Sequence, residues 1–241
     1  MSHTGGWLIE RRSGSARELH LPWPEAGHEG RRVLTRCEVT GGPALVLGSS
    51  QEDGVVDDDA VRRAGVDVVH RRSGGGAVMV APGAQLWLEA WVPRGDALWD
   101  DDVVRGAFWF GELWTTALAT LGADPVVHRA RATVTDWSAL LCFAGIGPGE
   151  VTVAAKKVVG LSQRRTAAGA RLQTVAAIRW DPREWLELFD LPATDRDRAE
   201  ADLAHTAQGL SALGAVAGPD SALSTRVEAV WAAVVDNLPR L

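Results

Sequence analysis

Apolar residues recur at every second position in several short runs of the chain, and at every third or fourth position in fewer, longer ones. The two periods mark half-buried strands and amphipathic helices. Strand patterns cover residues 7–10, 33–39 and 44–47, the last two separated by the turn signal Gly41-Gly42-Pro43. They continue at 66–70 and 86–92, where Leu86, Leu88, Ala90 and Val92 share one face. Residues 126–127, 132–135 and 139–144 also read as strands. Residues 150–153 and 157–163 then form a pair joined by a tight turn, and 170–180 is a further strand. Helical spacing runs over 103–121, with Val103, Ala107, Phe110, Trp114, Ala117, Leu118 and Leu121 on one face. Asp100–Asp102 can cap its start, and Gly122 ends it. Asp57, Asp58 and Asp59 can cap a shorter helix through Ala64, and Asp181-Pro182 opens another. Two Ala-rich amphipathic helices are expected at 195–213 and 220–238, separated by 214–219. The layout is α+β: a mixed, largely antiparallel sheet flanked by helices, with a helical C-terminal tail.

Composition narrows the function classes. With 241 residues, 46% of them hydrophobic, the chain can bury one sizeable core. No apolar run approaches the ~18 residues needed to span a bilayer. The formal charge of −6 argues against a nucleic-acid binder and against an anionic membrane surface as partner. No basic segment followed by an apolar one marks a secretion signal at the N-terminus. The two cysteines, Cys37 and Cys142, make no disulfide framework, which points to a reducing, cytoplasmic setting. Eleven Trp and no Tyr form an unusual bias, and several of these Trp fall at core-facing positions.

Three stretches carry candidate chemistry. The strand at 66–70 runs into Arg71-Arg72-Ser73-Gly74-Gly75-Gly76-Ala77-Val78. A glycine run costs conformational entropy and pays off where backbone must approach something closely. Exposed N–H groups beside arginines make an anion-binding concavity, for a phosphate or a carboxylate; an ordinary hairpin turn is the alternative. The spacing matches neither a P-loop nor a dinucleotide fingerprint. The earlier Arg11-Arg12-Ser13-Gly14 lacks a preceding apolar strand and a following glycine run, and is set aside. The second stretch holds Lys156 and Lys157 ahead of Gly160, a mid-strand glycine that admits another backbone or a ligand. The third is Leu140-Leu-Cys142-Phe-Ala, where Cys142 is either a buried structural thiol or a nucleophile activated by a nearby Lys. Cys37 reads as a small buried hydrophobe. The acidic run Glu52 to Asp59 matches no calcium loop, and no metal site is expected.

In order, these motifs resemble the family of lipoate–protein ligases, lipoyl/octanoyl transferases and biotin–protein ligases. The family's loop of two Arg and a Gly-rich turn corresponds to Arg71 through Val78. Its Lys-hydrophobic-x-Gly-x-Ala/Ser-Gln/Tyr-Arg signature corresponds to Lys157-Val-Val-Gly160-Leu-Ser162-Gln-Arg164, and its strand-end Gly-x-x-Gln to Gly48-Ser-Ser-Gln51. The resemblance implies the class II aminoacyl-tRNA synthetase/biotin–lipoate ligase-like fold. Residues 1–190 would form the catalytic domain, and 191–241 a helical extension packed on it. It implies attachment of lipoate or octanoate to one lysine of a carrier, a lipoyl domain or a glycine-cleavage H-type protein. In ligases, ATP with Mg2+ activates the acid as an acyl-adenylate. Lys157 would contact acyl and phosphate oxygens, while Arg71, Arg72, Ser73, Gly74, Gly75, Gly76, Ala77, Gly160 and Ser162 shape the site. The motif register and strand alternation select Lys157 over Lys156.

Cys142, 15 positions before Lys157 and followed by Phe, also resembles a transferase branch. There a Cys carries the acyl group as a thioester delivered by acyl carrier protein, without ATP. The short tail after Trp180 agrees with that branch, since many ligases carry a separate C-terminal accessory domain. Family members usually have His, and in ligases His-Asp, soon after the glycine loop; this chain has Met79-Val80-Ala81-Pro82. A non-catalytic paralogue that binds an acyl group or a carrier is therefore a third reading. Biotin fits least well, since Ser162-Gln163-Arg164 is similar to the lipoate side of the family.

Overall fold

The computed structural model describes all residues except 1, 5, 22–27, 29, 214–219 and 241. The expected break at 214–219 lies outside the described residues. The elements in order are β1 (Ser2–Thr4), β2 (Trp7–Gly14), α1 (Ala16–Leu19), β3 (Arg32–Val39), β4 (Ala44–Leu47), α2 (Asp58–Ala64), β5 (Asp67–His70), β6 (Val78–Val80) and β7 (Gln85–Pro93). They continue with α3 (Arg105–Ala119), β8 (Pro125–Val127), β9 (Val151–Val153), β10 (Lys156–Arg165), β11 (Gly169–Ala177), α4 (Pro182–Leu186), α5 (Ala193–Thr206) and α6 (Asp220–Asp236).

Eight strands form the main sheet in the order β1-β2-β3-β7-β11-β10-β9-β8. Only β2 and β3 run parallel within it; all other pairs are antiparallel. A smaller sheet has the order β5-β4-β6. The expected α+β layout, a largely antiparallel sheet with helices and a C-terminal helix, is what the chain adopts.

Period-2 alternation divides the core in two. On β7, Leu86, Leu88, Ala90 and Val92 pack with Phe110, Trp114 and Leu118 of α3 and Val230 and Val234 of α6. Trp87 faces the other way, into a cluster with Val46, Val78 and Val80 of the small sheet, Phe143, Trp185 of α4 and Leu203 of α5. The main sheet is thus sandwiched between α3/α6 and the small sheet with α4/α5. The aromatics of α3 are core, and Cys37 is buried as expected. The Trp bias has a counterpart here: Trp7, Trp87, Trp91, Trp114, Trp137, Trp185 and Trp231 are all buried.

Helix caps follow the sequence reading. Asp57 accepts the Ala60 N–H at 2.8 Å, and Asp102 accepts from Val104 and Arg105 at the start of α3.

Four expectations are corrected. Residues 132–135 form no strand, and only Thr133 bridges to Ile146. Ala132 to Val134 are exposed, so β-branched composition finds no pleated surface to pack on. Residues 139–144 are a bridge at Leu141 followed by a 3-10 turn over Cys142–Ala144. The run is apolar all round, and such a run does not distinguish strand from buried turn. The helix expected at 195–213 stops at Thr206, because the chain then turns extended and Ala207 bridges to Lys157. Gly209 follows where an added Cβ would sit 2.6 Å from the Ile178 carbonyl oxygen, an approach only glycine allows. Finally, Arg11-Arg12-Ser13-Gly14 does have an apolar strand before it: it is the second half of β2, with Trp7, Leu8 and Ile9 buried ahead of it. Its Arg11 pairs with Glu38 and Glu228.

Candidate functional site

The small sheet, the 3-10 turn and β10 converge on one cleft. Its floor is set by register. Gly160 on β10 pairs with Val175 on β11, which pairs with Trp87 on β7; one row along, Ser162 pairs with Gln173, which pairs with Glu89. Val78 and Val80 of β6 face this floor across a half-open slot whose cavity volume is ≈ 40 Å³. The slot walls are mainly apolar. A second, wider lobe is lined by Gly74, Gly75, Gly76, Gly147, Glu150 and Lys157. Cys142, Leu161 and Ser162 line both lobes and mark the junction.

The glycine loop between β5 and β6 has distinct needs at each position. Gly75 adopts φ +97°, the left-handed region. At Gly76 an added Cβ would meet the Leu141 and Cys142 backbone at 2.6–2.8 Å, so Gly76 lets the 3-10 turn dock against the loop. Gly74 has open space around it. Ala77 completes the docking by accepting from the Cys142 N–H and donating to the Leu140 carbonyl. Gln51 ties the same corner from outside, accepting from the Gly48 N–H and donating to the carbonyls of Ala139 and Leu140. Gly48-x-x-Gln51 is thus a clamp on the turn that carries Cys142.

Arg71 is buried and its guanidinium donates to the carbonyls of Val46, Gly74 and Gly76. Burial pushes its pKa below the usual arginine value. It shapes the loop from beneath and also lines the apolar slot. Arg72 is exposed, and its carbonyl accepts from Arg164. Ser73 donates to the hydroxyl of Ser162 at 3.1 Å, joining loop to β10.

Lys157 is 2% exposed. Its Nζ donates to the Cys142 carbonyl at 2.6 Å, the Gly145 carbonyl at 3.1 Å and Glu150 Oε1 at 2.7 Å. It lies 3.9 Å from the Cys142 Sγ and 5.2 Å from the Phe143 ring centroid. Burial would lower the Lys157 pKa, but the charges of Cys142 and Glu150 and their hydrogen bonds outweigh it and hold the ammonium above its usual value. Lys156 points elsewhere, to the Ala204 carbonyl on the exposed side. A register shift between Lys157 and Val159 in the β9–β10 pair lets Lys157, Val158, Val159 and Gly160 all be buried. Such irregularities commonly re-aim a side chain beside a site.

The tail supports the turn. Thr206 at the end of α5 donates to the Phe143 carbonyl, and the Trp180 ring stacks on Phe143 at 5.2 Å.

The structure therefore brings Lys157, Cys142, Arg71, Ser73, Gly76, Gly160 and Ser162 together, whereas Arg72 is exposed and lines neither lobe. Two residues outside the sequence-derived set join them. Glu150 is buried, pairs with Lys157, and accepts from the N–H groups of Gly147 and Leu161. The hairpin register was the available signal, since it sets residue 150 across the ladder from the residues after Lys157. His20, from the turn ending α1, enters the slot and packs its ring 4.8 Å from that of Trp87. Nothing local in the sequence connects His20 to residues more than fifty positions away.

The sequence profile described as lipoyl protein ligase A/B catalytic domain matches residues 35–229. No curated protein sequence matches the chain. Solved structures with the same fold include a bipartite archaeal lipoate protein ligase with its E2 lipoyl domain from Thermoplasma acidophilum. That one has 14% identity and TM-score 0.68, with 95% of this chain and 83% of that one covered. A lipoate-protein ligase A bound with ATP aligns at 15% identity and TM-score 0.64, covering 97% and 86%. A further T. acidophilum protein, described as a putative lipoate protein ligase with bound lipoic acid, aligns at 14% identity and TM-score 0.60, covering 86% and 74%. At these identities the likeness establishes the fold. Among the described residues no helix is long and apolar enough to cross a membrane.

Proposed function

Because the chain belongs to the lipoyl protein ligase A/B catalytic-domain family, we propose that it joins a medium-chain acid, lipoate or octanoate, to a lysine of a lipoyl carrier domain by way of an acyl-adenylate. The observation that carries this reading is the two-lobed cleft with a buried ammonium in its wider lobe, 3.9 Å from the Cys142 sulfur at the junction. Along the slot floor, Gly160 and Trp87 are two strands apart, roughly 9.6 Å at normal sheet spacing. An extended eight-carbon chain spans about 8 Å, taking the roughly 1.2 Å per bond of an extended backbone. An acid with its carboxyl group beside Cys142 and Lys157 therefore fills the slot to Trp87.

The wider lobe suits the nucleotide. The exposed backbone of Gly74 and Gly75 would face its phosphates. ATP supplies the leaving group: the acid's carboxylate oxygen attacks the α-phosphorus, pyrophosphate departs, and the carrier lysine's amine then displaces AMP at the acyl carbon. Lys157 stabilises negative charge as it develops on the acyl and phosphate oxygens. Among the described residues Glu150 is the one carboxylate lining the two lobes, and it is taken by Lys157, so a Mg2+ ion would be held chiefly by the phosphates themselves.

A second reading draws on Cys142. Its sulfur lines both lobes and lies 3.9 Å from Lys157 Nζ. In that reading the thiolate takes the acyl group from an acyl carrier protein thioester and passes it to the carrier lysine. One experiment separates the two. The protein is incubated with a lipoyl domain and either lipoate or octanoate plus ATP, or octanoyl–acyl carrier protein without ATP, and the carrier is weighed by mass spectrometry. ATP-dependent mass gain that survives Cys142→Ala supports the ligase. ATP-independent gain lost in Cys142→Ala supports the transferase. No gain under either condition refutes both and leaves binding without chemistry.

A further inference from the structure

Whichever donor supplies the acyl group, a carrier lysine has to reach the Lys157 end of the cleft and shed a proton there. A third cavity, of ≈ 210 Å³, opens onto that point. It shares Thr133, Gly145, Ile146 and Lys157 with the wider lobe and no residue with the apolar slot. Its outer wall includes Ala155 of the β9–β10 turn and His205 in the last turn of α5, both exposed. A side chain entering between them arrives at Gly145 and Lys157 without passing through the slot that holds the acid.

The backbone that carries His205 is tied down on both sides. Lys156 Nζ donates to the Ala204 carbonyl at 3.1 Å, Thr206 Oγ1 donates to the Phe143 carbonyl at 3.2 Å, and the Gln208 N–H donates to the Lys157 carbonyl at 2.9 Å. These bonds fix the end of α5 against β10 and against the turn that holds Cys142. Of the residues lining the cavity, only Lys157 and His205 carry an ionisable side chain. The other candidates for a base are unsuited. Lys157 is itself an ammonium held above its usual pKa with all three N–H groups engaged, and Glu150 is its counter-charge. His20 lies in the slot, where burial, with Arg171 and Arg71 nearby, drives its pKa down to about 3. Cys142 lines the two lobes but not this cavity.

We propose that His205 is the general base that receives the carrier lysine in this third cavity. This rests on the carrier-lysine step of the reading above. At pH 7.4 roughly one lysine amine in a thousand is unprotonated, so a positioned imidazole has much to contribute, typically about 10²- to 10⁴-fold. The ring nitrogen of His205 that bears no hydrogen takes one proton from the incoming ammonium. The freed lone pair forms the C–N bond at the acyl carbon, and the bond from that carbon to the AMP oxygen breaks. The nitrogen loses its second proton to water at the open mouth, where the imidazolium also discharges. Lys157 keeps its proton throughout, so the fixed cation and the base are separate residues on two walls of one cavity.

The test compares two nucleophiles on the full chain, a lipoyl domain and hydroxylamine, with octanoate and ATP as acyl donor, or octanoyl–acyl carrier protein where the native chain uses that instead. Hydroxylamine is largely unprotonated at neutral pH and needs no base. In His205→Ala, kcat for the lipoyl domain is expected to fall about 10²-fold with its KM unchanged. Hydroxamate formation stays within twofold of native, and added imidazole restores part of the lost carrier modification. His205→Gln serves as a second variant, and circular dichroism verifies that each folds. A raised KM at unchanged kcat would make His205 a docking contact and overturn the proposal. An equal fall with both nucleophiles would make it structural, and unchanged carrier modification overturns it outright. A native chain that acylates neither nucleophile from either donor removes the acyl-transfer reading, and this proposal with it.

Discussion

Replacing Glu150 with Ala tests whether Lys157 is a charge held in place by one carboxylate. Both side chains are nearly inaccessible, at 3% and 6% for Lys157 and Glu150, and they meet at 2.7 Å. Lys157 keeps two carbonyl partners in the variant, Cys142 O and Gly145 O, but no counter-charge among the carboxylates of the cleft. Breaking a buried pair by removing one partner costs about 3–5 kcal/mol. The N–H groups of Gly147 and Leu161, which lose the same carboxylate, keep the figure at the upper end unless water enters. A loss of about 4 kcal/mol is therefore expected, read as a shift in urea midpoint at unchanged slope. Adding Lys157→Met should recover about 2–3 kcal/mol of it, because the penalty belongs to the orphaned ammonium; the double-mutant cycle isolates that term.

The pH dependence carries the sign. In the native chain the folded Lys157 pKa lies above the unfolded 10.5, so its stabilisation is complete below pH 10.5 and is lost as pH rises through the folded value. Without Glu150 the dominant burial effect is less opposed and the folded pKa drops. If it drops below 10.5, the unfolded chain binds the proton more tightly, and raising pH toward 10.5 stabilises the variant instead. Carrier modification, followed by mass spectrometry across pH, should show its alkaline limb moving down in Glu150→Gln. A stability loss under 1 kcal/mol together with an unmoved alkaline limb would refute the claim that Glu150 holds the charge on Lys157.

Further outcomes follow from the same geometry. Gly76→Ala should destabilise by about 1–3 kcal/mol and abolish carrier modification, because its Cβ would press on the backbone of Leu141 and Cys142, whereas Gly74→Ala should leave the melting temperature within the error of the measurement. Ala154 and Ala155 form the β9–β10 turn at φ +49° and +63°, so Ala154→Asn with Ala155→Gly should raise the urea-derived stability by about 1 kcal/mol, relieving a left-handed strain of about 1–2 kcal/mol per residue. Glu89→Leu should cost about 3–5 kcal/mol by calorimetric melting, since it removes the carboxylate that pairs with the buried Arg171 guanidinium.

How far the sequence reaches depends on whether a signal is local. The alternation on β7, the caps at Asp57 and Asp102 and the helical face of α3 are short-range patterns, and the structure follows them. The glycine loop was legible because three consecutive glycines have few explanations, and the Lys157 register because strand alternation separates it from Lys156. The 3-10 turn at Cys142 was not legible: Leu140-Leu-Cys-Phe-Ala is apolar throughout, and its docking through Gly76 and Gln51 is a tertiary matter. His20 was not legible either, since α1 is held over the slot by tertiary contacts: Ala16 and Leu19 in the core, Arg17 on the Val68 carbonyl and Arg171 on the carbonyls of Leu19 and Leu21. The Met79-Val80-Ala81-Pro82 stretch gains a physical meaning. Val80 faces the slot as wall while Met79 turns away from it, and the imidazole lining the slot is that of His20.

The saturation of Lys157 constrains any chemistry at the junction. An ammonium has three N–H groups, and all are engaged, by Cys142 O, Gly145 O and Glu150 Oε1. A substrate oxygen can hydrogen-bond to Nζ only by displacing one of them. Glu150 is the costly one to lose, since it is the counter-charge. The Cys142 carbonyl, at 2.6 Å, belongs to the clamped turn. The Gly145 carbonyl, at 3.1 Å, is the longest contact, and its residue lies where the 3-10 turn has ended. Exchange there leaves the ion pair intact and moves the fewest groups. Substrate binding is then expected to shift Gly145 and its neighbour Ser138, whose Oγ approaches within 2.5 Å of the place a Gly145 Cβ would occupy. Gly145→Ala should accordingly suppress carrier modification more than it suppresses binding of the acid. An enzyme in which both fall by the same factor would show that Lys157 acts through its field alone, with its three partners retained.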